Sequence, residues 1–111
     1  MLKNEDFIQE FVEEAREHLE NFERVLLHEL ADISAEQIND AFRAVHSIKG
    51  TAGFFGLEKI VLIAHSMETI LDCVNRKKIS LSDADVDLLL ETKDRLKTLV
   101  NDVKHLSLIH I

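Results

Sequence analysis

Proline is absent from this 111-residue chain, and its three glycines, Gly50, Gly53 and Gly56, fall within one seven-residue window. Those two residue types are the ones that interrupt helices, at roughly 3 and 1 kcal/mol per residue relative to alanine. Outside that window the backbone carries almost no local instruction to stop a helix. Strand-like alternation is not sustained anywhere either. The fold class expected is therefore all-α, built from a few long helices.

Apolar periodicity and capping residues divide the chain into four. Ile8, Phe11, Val12, Ala15, Leu19, Phe22 and Leu26 recur at spacings of three and four, which predicts a helix over 5–30 with one apolar stripe. Asn4 or Asp6 is its candidate cap, and Gln9 follows Asp6 at capping-box spacing. Ser34 with Gln37 is a second capping-box signature, flanked by Ile33 and Ile38 as a hydrophobic staple. The helix it opens, over 35–53, is predicted to bury Ile38, Ala41, Phe42, Val45, Ile48 and Ala52 before a turn at Gly53–Gly56. A third helix over 57–75 carries the nearly heptad-like seam Ile60, Ile63, Ala64, Met67, Ile70, Leu71 and Val74. Ser82 with Asp85, between Leu81 and Val86, starts a fourth over 83–105, which buries Val86, Leu89, Leu90, Leu96, Leu99, Val100 and Val103. Short connections between helices of similar length favour antiparallel neighbours, so the expected architecture is an up-down four-helix bundle. It forms one domain over 1–106, and 107–111 is read as a tail, a linker or a cloning scar.

Charge and composition narrow the function. Thirteen Lys+Arg against 21 Asp+Glu give a net charge of −8, which disfavours nucleic acid and anionic lipid as partners. The short run Arg76-Lys77-Lys78 is too small to reverse this and suits a helix C-terminus. No apolar run approaches the roughly 18–20 residues of a membrane span, and no signal peptide opens the chain, so no membrane insertion is expected. The lone Cys73 cannot form an internal disulfide and fits a reducing compartment. The location expected is cytoplasmic.

The glycine window is where chemistry gathers. Gly56 reads as a helix C-terminal residue. Gly50 and Gly53 lie within a helical pattern, where each costs about 1 kcal/mol relative to alanine. With His46 taken as zero on a helical projection, Gly50 falls at about +40°, Gly53 at about −20° and Lys49 at about −60°, while the apolar stripe centres at about −110°. His46 thus stands at the border of core and solvent, with bare backbone on the turns beyond it and an ammonium group beside it. That combination suits the approach of another protein and the docking of a phosphoryl group. On the third helix His65 and Glu68 share one flank, off the seam. With antiparallel packing Glu68 reaches His46, and a carboxylate on Nδ1–H makes Nε2 the nucleophilic nitrogen. A plain helix-pairing module is the alternative; it accounts for the heptads but not for glycines beside a border histidine. A carboxylate-bridged metal site requires Glu-x-x-His pairs from two helices, whereas His65-x-x-Glu68 is reversed and single.

His46-Ser47-Ile48-Lys49-Gly50, followed by Ala52-Gly53 and Phe55-Gly56-Leu57, resembles the phosphoacceptor motif of histidine-phosphotransfer (HPt) domains. The run Ala41-Phe42-Arg43-Ala44-Val45, the His65-x-x-Glu68 pair, Leu90-Glu91-Thr92-Lys93-Asp94 and the opening Phe11-Val12-Glu13-Glu14-Ala15 are similar to the N-terminal phosphotransfer domain of CheA chemotaxis kinases. The resemblance covers residues 4–104. It implies that His46 is phosphorylated at Nε2, that Glu68 holds Nδ1, that Lys49 and His65 support the site, and that Gly50 leaves room for the incoming domain. Many members have a fifth, C-terminal helix, which this chain is expected to lack. The implied partners are the catalytic domain of a histidine kinase and the receiver domains of CheY- or CheB-like response regulators. No cofactor is expected in this domain, because the chain has no glycine-rich phosphate loop. ATP and Mg²⁺ belong to the separate kinase domain, and this domain alone is expected to be a phosphoryl carrier rather than an enzyme.

Overall fold

The computed structural model describes residues 4–27, 34–76 and 81–109, with side chains described only between residues 6 and 103. Four helices make up the described fold: α1 (Asn4–Leu26), α2 (Ala35–Phe54), α3 (Glu58–Asn75) and α4 (Asp83–Ile109). Helix α1 packs on α2 and α4, and α3 packs on the same two, so the helices close into a ring. Each neighbouring pair runs antiparallel. His46 lies opposite Glu68 and Gly53 opposite Val61 between α2 and α3, and Phe11 meets Phe55 across α1 and α2. The result is a rod of 48 × 21 × 20 Å.

One continuous core fills the ring. The stripe of α1 is buried from Phe11 to Leu26, with Phe22 at 0% exposure, and meets Val45, Ile48, Met67, Leu71, Leu89 and Leu96. Burying each such side chain contributes roughly 1.5–3 kcal/mol, so the bundle does not rest on helix propensity alone. Of the residues expected in the core, Ile8, Phe42, Leu90 and Leu99 are only half-buried, as are Ile63, Ile70 and Val74 of the α3 seam. Lys93, expected in no core, is 6% exposed and bonds to Glu23 on α1 at 3.2 Å and to Asp94 at 2.6 Å.

The caps act where the sequence puts two of them. Gln37 N–H donates to Ser34 Oγ at 3.1 Å while Ser34 N–H donates to Gln37 Oε1 at 2.8 Å, a reciprocal capping box. Ser82 and Asp85 repeat it at 3.2 and 2.9 Å. Helix α1 differs: Asp6 lies inside it, and the Gln9 amide donates forward to Glu13 at 3.4 Å. The proposed Ile33 staple and residues 28–30 of the first expected helix fall outside the described residues. At the far end α4 continues to Ile109, so residues 107–109, expected as tail, are helical.

The turn after α2 positions the site. Leu57 N–H donates to the Ala52 carbonyl at 2.9 Å and Gly56 N–H to the Gly53 carbonyl at 3.2 Å, the paired bonds of a Schellman ending. That ending needs a left-handed residue, and Gly56 supplies it at φ +71°. Phe55 packs on Phe11 of α1 with ring centroids 6.0 Å apart, and so ties the α2–α3 hairpin to the core.

Candidate functional site

Three of the residues singled out in the sequence meet on one side of the α2–α3 hairpin. His46 and Lys49 are three apart on α2 and therefore share a face. Glu68 arrives from α3, and its two carboxylate oxygens are divided between them. His46 Nδ1 lies 2.9 Å from Oε2, and Lys49 Nζ donates to Oε1 at 2.9 Å. The Glu68 side chain is 13% exposed, Lys49 26% and the His46 ring 59%. The carboxylate is thus sheltered and the imidazole open to solvent.

The protonation pattern follows from this geometry. Burial pushes the Glu68 carboxyl upward, but the hydrogen bonds from Lys49 and His46, together with their charges, outweigh it and hold it below its usual range. Glu68 is then an ionised, acceptor-only group at neutral pH. The atom facing it, His46 Nδ1, must carry a hydrogen. In the neutral ring that leaves the lone pair on Nε2, which has no partner among the described residues. An exposed ring nitrogen with a free lone pair is a nucleophile.

The surroundings of the ring are partly aromatic and partly bare. Phe42, one turn earlier on α2, lies nearly parallel to the imidazole, with an interplanar angle of 8° and centroids 5.9 Å apart. Gly50 and Gly53 are exposed and helical. A Cβ at Gly50 would meet nothing within 4 Å, and one at Gly53 only Val61 Cγ2 at 4.0 Å. Close helix packing therefore explains neither glycine. Phe54, 85% exposed, continues the same helix about two turns beyond His46.

His65 does not join the cluster. It is exposed on α3, and its ring makes no hydrogen bond or ion pair with the described residues, while its carbonyl accepts from the Thr69 hydroxyl at 3.0 Å. Sequence reasoning also passed over the Phe42 contact. Its signal was present in the four-residue spacing to His46, which puts two side chains on one helical face. No group of three or more His, Cys, Asp or Glu residues placed to hold a metal occurs among the described residues.

The sequence model of the Hpt domain family matches residues 6–105. The chain is an Hpt domain. Such a domain is a histidine-phosphotransfer module, a phosphoryl carrier in two-component signalling. The Hpt chain is 41% identical over 101 residues to the chemotaxis protein CheA of Salmonella typhimurium, covering 90% of this chain and 15% of that protein. With the chemotaxis protein CheA of Rhizobium meliloti it shares 41% identity over 92 residues, 82% of this chain and 12% of that protein. It therefore spans 12–15% of the length of these two relatives. The CheA phosphotransferase domain from Thermotoga maritima superposes with a TM-score of 0.85 at 29% identity, covering 92% of this chain and 98% of that one.

Proposed function

We propose that His46 is the phosphoacceptor of this Hpt domain and that its Nε2 carries the phosphoryl group. The observation that supports this most directly is the 2.9 Å contact between Nδ1 and Glu68, which leaves Nε2 as the free nitrogen of an exposed ring. In the first transfer the Nε2 lone pair attacks the γ-phosphorus of ATP held by a separate kinase domain. The bond to the bridging oxygen breaks, its electrons leave with ADP, and an N–P bond forms. The ring becomes positive as it does so, and the Glu68 carboxylate on Nδ1–H stabilises that charge. In the second transfer a receiver-domain aspartate attacks phosphorus, the N–P bond breaks, and Nε2 recovers its lone pair. Lys49, one turn away, adds positive charge near the phosphoryl oxygens. Gly50 and Gly53 keep the approach clear for both partners.

The relatives' printed names and the short span of this chain within them support a wider reading. The domain belongs to a CheA-type histidine kinase working in the cytoplasm, and its receivers are CheY- or CheB-like proteins of a chemotaxis-type pathway. ATP and Mg²⁺ are bound by the kinase domain and not by this one. Among the described residues no helix is long and apolar enough to cross a membrane.

The test is labelling by a CheA-type kinase core with γ-labelled ATP, comparing wild type with His46→Gln. The expected result is an acid-labile, alkali-stable label on wild type that the variant lacks. Equal labelling of both proteins, or none of wild type with several competent kinases, overturns the assignment.

A further inference from the structure

We infer that Phe42 is a positioning residue for the phosphoryl site: its ring fixes the plane of the His46 imidazole, so that Nε2 is presented outward in one orientation. The inference rests on the reading of His46 as phosphoacceptor and goes beyond it.

A histidine ring on a helix has two side-chain torsions to settle. The bond from Nδ1 to Glu68 directs one edge of the ring. A hydrogen bond constrains distance and linearity but tolerates a range of angles, so the two torsions keep some play while the bond holds. With that bond alone Nε2 would sweep an arc, and in-line attack on phosphorus tolerates little of that. The second constraint comes from Phe42. The two rings are nearly parallel, 8° apart, with centroids at 5.9 Å, the offset-stacked range for aromatic pairs. Tilting of the imidazole plane by these torsions would drive its edge into the phenyl face or pull it away from contact.

Phe42 is suited to act as a wall because it is itself held. It is half-buried and packs against the core cluster beside Ala41 and Val45, which are 1% and 0% exposed. A phenylalanine serving the core alone would be enclosed, as Phe11 and Phe22 are at 3% and 0%. Phe42 instead serves two neighbours, the core and the imidazole. Stacking also suits the chemistry, since the ring turns cationic as the N–P bond forms and the face of a phenyl group attracts a cation within about 6 Å.

Phe42→Leu keeps an apolar group of similar reach and removes the ring face, whereas Phe42→Tyr keeps the face. The labelling rate by the kinase core at saturating domain is expected to fall roughly two- to tenfold in the leucine variant, with KM for the domain unchanged, and to return with tyrosine. In NMR spectra of the unlabelled domain, the His46 Hδ2 and Hε1 signals should lose their ring-current shift in Phe42→Leu and keep it in Phe42→Tyr. Wild-type rates in the leucine variant, a loss that tyrosine does not restore, or ring signals that leucine leaves in place would each overturn the inference. If Phe42→Leu fails to fold by circular dichroism, Phe42→Met replaces it with the same expectations. The NMR measurement needs no kinase, so it decides the stacking even where wild type is not labelled and the phosphoacceptor reading falls.

Discussion

Glu68 is the residue on which the site turns, because each of its oxygens has a different partner. Its folded value lies below the ordinary carboxylate value of 4.5. A group depressed on folding contributes stability above its unfolded value and loses it as pH falls through the folded one. Urea denaturation of wild type and Glu68→Gln should therefore differ at neutral pH, and the gap should close as pH drops below 4.5. A gap that stays constant into acid would remove the ionised carboxylate from the account. Gly50 gives the opposite kind of test. The space where its Cβ would stand is empty and its backbone is helical, so Gly50→Ala should stabilise the domain by up to about 1 kcal/mol. The same methyl group stands beside the route to Nε2 and should slow transfer to a receiver domain. A variant that gains stability and transfers at the wild-type rate would show that bare backbone is not what docking requires.

At the scale of helices, what could be read from sequence was what depends on neighbours along the chain. The Ser34–Gln37 and Ser82–Asp85 boxes, the left-handed Gly56 and most of each apolar stripe are local, and stand in the structure where spacing puts them. Contacts between helices were legible only where geometry left one choice. Glu68 and His65 sit on one flank of α3, yet three residues turn His65 about 60° further from the core, and only Glu68 reaches α2. Phe42 was assigned wholly to the core because a stripe gives each residue one side. Lys93 was missed because its charge hides its seam position between Leu90 and Leu96. Its aliphatic stem lies in the bundle while the ammonium reaches Glu23 and Asp94, which are themselves 42% and 69% exposed. Burial pulls the Lys93 ammonium down, but those two carboxylates more than offset it and hold it above its ordinary value. Since both partners keep their contact with water, Lys93→Met strands no charge and should change stability by no more than about 1–2 kcal/mol in either direction. A loss well beyond that in thermal melts would mean the ion pairs hold α1 to α4.

The molecule as a whole separates support from chemistry. Helices α2 and α3 supply His46, Lys49, Glu68 and Phe42, while α1 and α4 close the core behind them. The run of α4 to Ile109 was not legible, since the last residues carry neither a cap nor a sustained stripe. What the sequence also could not show is how open the imidazole stands, at 59% exposure. That openness bears on time. A phosphoryl group on Nε2 would sit in water, with no lid over it among the described residues. Its lifetime should then be set by the N–P bond and the two charges beside it, Glu68 and Lys49, and label should leave the folded domain within about tenfold of the rate at which it leaves the same chain unfolded in urea. Markedly slower loss from the folded domain would reveal a protection that the open ring does not offer. How long a signal lasts is, on this view, decided by the partner that collects it; the carrier keeps no clock.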